Sequence, residues 1–142
     1  MIETIFVTTM FLSQMATHER PEVRRRSREE MCLLSKQKKN CPSPNKGSFS
    51  VDDPYIVNIR ADVDVKTVFG QGVLVHEFVH FLQYHTGKLT LPLTCPDYYF
   101  KEREAVMIQV EFYAHSGYIY QGLPELLTLY ANVCWKKEKE GK

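Results

Sequence analysis

The sequence predicts an α+β protein that is mostly helical, and three observations predict it. Apolar residues recur at helical spacing in several separate stretches of the chain. One β-rich segment, residues 48–60, interrupts them, with strand-forming residues on both sides of an Asp52-Asp53-Pro54 turn. No internal repeat divides the 142 residues, a length that buries a real core without metal or disulfide staples, so residues 1–142 are expected to form a single domain.

Ile2, Ile5, Phe6, Thr9, Leu12 and Met15 mark an amphipathic N-terminal helix that ends before Pro21. Ser27 followed by Glu30 is a capping-box pattern and opens a short helix through Met31, Leu33 and Leu34, so residues 1–35 are expected to be helical. The basic run Arg24-Arg25-Arg26-Ser27-Arg28 is answered by Glu19, Glu22, Glu29 and Glu30, and reads as the solvated start of that helix. A polar loop, Lys36 to Gly47, leads to strands at Ser48–Val51 and Tyr55–Arg60, which together suggest a hairpin. The next helix spans residues 64–86 and stops at Gly87. Gly70 and Gly72 weaken its first turns, so its start could lie as late as Gly72. Leu89 to Pro96 reads as a loop, residues 98–116 as a second long helix, and residues 122–136 as a last helix with Pro124 in its first turn, followed by a polar tail to Lys142.

The net charge of +1 gives the chain no electrostatic signature of nucleic-acid binding. No segment is apolar for long enough to span a membrane. Met1 to Leu12 carries Glu3 and has no basic region before it, so it does not read as a signal peptide. Cys32, Cys41, Cys95 and Cys134 show no C-x-x-C spacing. They are compatible with one or two disulfides, Cys32 with Cys41 closing a short loop, or with buried free thiols. Pairing favours a periplasmic or secreted protein, and free thiols a cytoplasmic one.

Chemistry concentrates in His76-Glu77-Phe78-Val79-His80. Histidines at i and i+4 leave one face of a helix one turn apart, so both imidazoles can grip one ion. Glu77 lies beside them, where a carboxylate can reach a water held by the metal. A catalytic zinc takes three protein ligands and a water. Glu102 and Glu104 are the candidates for the third ligand. Glu102 shares a face with Ala105 and Gln109 and is the expected one, and the other glutamate could orient a ligand histidine. Tyr98, Tyr99, His85 and His115 are candidate oxyanion donors, each with a blander reading as a packing or surface residue. The strand Tyr55–Arg60 could take an extended peptide by edge pairing, or be a plain core strand.

The pattern LVHEFVHFLQ followed by CPDYYFKEREAVMIQ resembles the gluzincin division of zinc peptidases, and in particular small bacterial proteins with an E-x-E-A-x-x-x-Q segment. The resemblance covers Leu74 to Gln109 and is looser through the hairpin. It implies a minimal zincin-like domain, with the hairpin packed beside the metal helix and a glutamate helix following. It also implies one Zn²⁺ on His76, His80 and Glu102, Glu77 as general base, and a peptide or protein substrate. Val106 departs from the pattern, because many gluzincins carry Asp or Asn there to support a ligand histidine. The rival readings are a zinc-binding protein without hydrolytic activity, an interaction module built on the Tyr-rich stretch Tyr113 to Tyr120, and a chance motif. The sequence leaves the oligomeric state open.

Overall fold

The computed structural model describes residues 1–36, 38–89 and 94–140, with side chains up to Val133. Those residues form α1 (Ile2–Ser13), β1 (Glu22–Arg26), α2 (Arg28–Leu34), β2 (Gly47–Phe49), β3 (Ile56–Arg60), α3 (Val68–His85), α4 (Cys95–His115) and α5 (Leu123–Glu140). The architecture is α+β and mainly helical, as the periodicity predicts. None of these helices is long and apolar enough to cross a membrane.

The three strands form one sheet in the order β1-β3-β2. β2 and β3 are the expected hairpin, antiparallel with Gly47 opposite Ile59 and Phe49 opposite Val57. β1 is a correction: Arg24, Arg25 and Arg26 of the basic run are not helical but belong to a strand, parallel to β3 with Glu22 opposite Ile56 and Arg26 opposite Arg60, and only Ser27 and Arg28 open the helix. Its residues, EVRRR, lack apolar alternation because the strand lies at an edge and is held by backbone pairing and guanidinium bonds. Arg26 Nε donates to Asn58 Oδ1 at 2.8 Å, and an Arg25 guanidinium nitrogen to the Ala61 carbonyl at 3.1 Å. The capping box survives, with Ser27 and Glu30 bonded reciprocally at the start of α2. β3 is therefore central, paired on both sides, and cannot accept a peptide by edge pairing.

The core sits between the sheet and α3. Val57 and Ile59 from β3 meet Leu74, Val75, Phe78, Val79, Phe81 and Leu82 from α3, all with almost no exposed surface. Phe6 of α1 closes this core from the far side, edge-on to Phe78 at 5.2 Å and to Phe81 at 5.7 Å between ring centroids. α3 starts at Val68, capped by the Thr67 hydroxyl, so its glycines lie inside the helix. Gly72 is there because α4 packs on it: a Cβ at this position would collide with the Tyr113 hydroxyl.

α4 begins earlier than expected, at Cys95. Thr94 and Asp97 form a second capping box and Pro96 sits in the first turn, where its missing N–H costs nothing. Pro96 is thus a helix starter and not part of a loop; residues 90–93 of the expected loop lie outside the described residues. Cys32 and Cys41 form a disulfide across nine positions, and Cys95 is also disulfide-bonded. The Cys134 side chain and the end of the polar tail, residues 141–142, lie outside the described residues.

A candidate metal centre

α3 presents His76 and His80 one turn apart, and the fully buried Ala105 lets α4 come close enough for Glu102 to meet them. His76 Nε2 lies 3.2 Å from Glu102 Oε2, His80 Nε2 lies 3.3 Å from Glu102 Oε1, and the two Nε2 atoms are 3.2 Å apart. One donor atom from each residue falls within 4.8 Å of the others, a group that could hold a metal ion. Glu104 is not part of it.

The hydrogen bonds behind the rings fix their tautomers. Gln83 Nε2 donates to the Lys101 carbonyl and to Glu104 Oε1, both at 3.0 Å. Both partners accept only, so Gln83 must turn its oxygen toward His80, and Oε1 lies 2.9 Å from His80 Nδ1. His80 Nδ1 therefore carries the proton. Gln109 repeats the arrangement: its amide nitrogen donates to the Tyr113 hydroxyl at 3.0 Å, and that hydroxyl donates to the Phe69 carbonyl at 3.5 Å. Gln109 Oε1 then accepts from His76 Nδ1 at 3.0 Å. In neutral rings both Nε2 atoms are bare lone pairs, aimed at each other and at a carboxylate. Three converging acceptors with no proton between them call for a cation, so the residues present fit a divalent ion.

A proton at Nε2 meets the same need when no metal is held, and the ionisation equilibria reflect it. Burial opposes the charged form of His76, but Glu102 and Glu77 outweigh burial and raise its pKa above the usual imidazole value. Burial also pushes Glu102 up, yet its bonds to the two imidazoles hold it well below the usual carboxylate range. Glu77 is different. Burial dominates and raises it, with His76 and His80 pulling the other way. Its neighbour is the edge strand: a Cβ on Gly47 would lie 2.7 Å from Glu77 Cγ.

These groups share a cavity of about 430 Å³, floored by His76, Glu77, His80 and Glu102 and walled by Asn45–Phe49 on one side and Tyr98, Lys101, Gln109 and Tyr130 on the other. Tyr98 is thus at the site, and burial raises its pKa. Tyr99 instead meets Phe100 edge-on, His85 Nε2 binds the Pro54 carbonyl at 2.6 Å, and His115 is exposed beside Glu111. Sequence reasoning missed Tyr130, delivered by α5, whose hydroxyl burial also holds in the protonated form. No local signal marks it, since its partners lie tens of residues away. Gln83 and Gln109 are the support that Val106 does not supply. Gln109 was legible as a residue sharing a face with Glu102, whereas Gln83 stood at the end of the LVHEFVHFLQ pattern with no role assigned to it.

No protein-family model, curated protein or solved structure matches the chain.

Proposed function

We propose that this protein is a zinc-dependent metallopeptidase with a zincin-like core, His76, His80 and Glu102 holding the ion and Glu77 acting as general base. The observation that carries the reading is the convergence of two imidazole nitrogens and the Glu102 carboxylate beside a second carboxylate, Glu77, in one cavity. A zinc ion there would supply an acidified water and a polarised carbonyl. Glu77 holds and passes the proton. Its burial favours that role, because it raises the carboxyl group's affinity for a proton. The Tyr98 and Tyr130 hydroxyls, kept protonated, face the same space and can donate to a developing oxyanion.

The edge strand gives the substrate a place to lie. Arg60 N donates to the Lys46 carbonyl at 2.8 Å, which makes Lys46 and Arg60 a hydrogen-bonded pair. The alternation of an antiparallel ladder then turns the backbone N–H and C=O of Gly47 and Phe49 away from β3, along the edge that borders the cavity. An extended peptide can add to that edge. The rival reading, a zinc-held scaffold without hydrolysis, leaves Glu77 unexplained, since a buried carboxylate beside a structural ion has no part to play. The Cys32–Cys41 disulfide supports an oxidising compartment, periplasmic or extracellular.

The test is cleavage of a mixed peptide library by zinc-loaded wild type and Glu77→Gln, read by mass spectrometry. Wild type should cleave, and Glu77→Gln should keep its zinc while losing about 10²–10⁴-fold in rate. Equal cleavage by the two proteins, or zinc-loaded wild type that cleaves nothing, contradicts the proposal.

A further inference from the structure

Lys101 precedes Glu102 on α4 and brings a cation to the rim of the metal centre. Its Nζ lies 3.7 Å from Glu102 Oε1 and 5.7 Å from the centre of the Tyr98 ring, and its side chain is only 21% exposed. The backbone is pinned at this position, because the Lys101 carbonyl accepts the amide of Gln83. The ammonium stands at the cavity wall, over the face of the Tyr98 ring. In the metal-free chain Glu102 is its counter-ion. A divalent ion on Glu102 would answer that carboxylate's charge and leave the ammonium facing the cavity, with Glu77 across it as the remaining carboxylate.

Resting on the zinc-peptidase reading, we infer that Lys101 is a specificity residue that binds a carboxylate of the substrate close to the hydrolysed bond. Glu77, on α3 against the Gly47 strand, feels the Lys101 charge, but no ion pair joins the two among the described residues. Two sources carry the chemistry: the free α-carboxylate of a chain end, or an Asp or Glu side chain. The first makes the enzyme trim chain ends, and the second makes it cut beside acidic residues. A half-buried ammonium meeting a carboxylate gives a charge-assisted bond, which corresponds to about tenfold or more in affinity.

Binding, and not turnover, tests this. The zinc-loaded Glu77→Gln chain is titrated with acetyl-Gly-Gly, acetyl-Gly-Gly-amide, acetyl-Asp-Gly-amide and acetyl-Asn-Gly-amide, with affinities read from NMR shifts. Lys101→Met and Lys101→Arg are placed in the same background. With Lys101 present, one acid probe should bind about tenfold or more tighter than its amide. A preference for acetyl-Gly-Gly identifies the chain end, and one for acetyl-Asp-Gly-amide the side chain. Lys101→Met should reduce the ratio to about twofold or less, and Lys101→Arg should restore it, with zinc content equal throughout. Equal binding of acid and amide by the Lys101 chain overturns the inference without any variant. A preference that survives in Lys101→Met overturns it too, because the carboxylate is then held by the ion alone. If the chain takes up no zinc, or binds zinc but none of the four probes, the peptidase reading fails and this inference fails with it.

Discussion

Gln83 and Gln109 stand where metal-ligating histidines usually have a carboxylate or a backbone carbonyl behind them. A neutral amide fixes the tautomer as firmly but pushes less electron density into the ring. Each glutamine is itself oriented: Gln83 by the Lys101 carbonyl and by Glu104, which Lys88 holds at 2.9 Å, and Gln109 by Tyr113. Replacing either by alanine frees a ring to flip or to protonate at the wrong nitrogen. Zinc affinity, measured by chelator competition, should fall by about 10–100-fold in Gln83→Ala and in Gln109→Ala. An unchanged affinity would show that the amides merely fill space. The histidine pair and Glu102 were legible because helical spacing alone places them on defined faces. Glu104 was legible only as a contender, and its position, bonded to Gln83 and Lys88, became clear once α3 and α4 were packed. Tyr130 was not legible, since nothing near it in sequence reports on a cavity built by other elements.

Elements bring these residues together through two close approaches. At Gly72, α4 comes so near α3 that any side chain would strike the Tyr113 hydroxyl, which in turn supports Gln109 and His76. Gly72→Ala should therefore cost about 1–3 kcal/mol in denaturant unfolding and also weaken zinc binding. A loss of stability with full zinc affinity would break the proposed chain from Tyr113 to the metal. Gly47 is the second approach, with β2 crossing directly over Glu77. A methyl group there meets Glu77 and Val73 and not the histidines, so Gly47→Ala should keep its zinc and lose cleavage. The reading of weak helix-formers at Gly70 and Gly72 placed the boundary of α3 in doubt for a physical reason. Propensity counts the cost of glycine within the helix, whereas the Thr67 cap sets the start, and close packing on Asp64 and on Tyr113 selects glycine at positions 70 and 72. β1 was illegible for the opposite reason: its arginines carry no apolar alternation, and only the parallel partner β3 makes it a strand.

At the scale of the molecule, the apolar back of α3 is locked by Phe6, Phe78 and Phe81, while its polar front carries the site. The scaffold is thus held by the core, and the ion is expected to add to its stability without creating it. A ligand at about a hundred times its dissociation constant stabilises by about 2.7 kcal/mol, so removing the metal should lower Tm by several degrees and leave the chain folded. Unfolding on chelation would place the ion in a structural role. The fold class, the hairpin and the order of the helices were legible because each depends on local pattern. The cavity was not, since it exists only where an edge strand, two packed helices and α5 meet. The central claim is that His76, His80 and Glu102 hold one divalent ion. Metal analysis of exhaustively dialysed wild type, His80→Ala and Glu102→Ala, each loaded with excess zinc and checked for folding by circular dichroism, tests it most directly. The account predicts one zinc per wild-type chain and little or none in either variant; equal zinc in all three would contradict it.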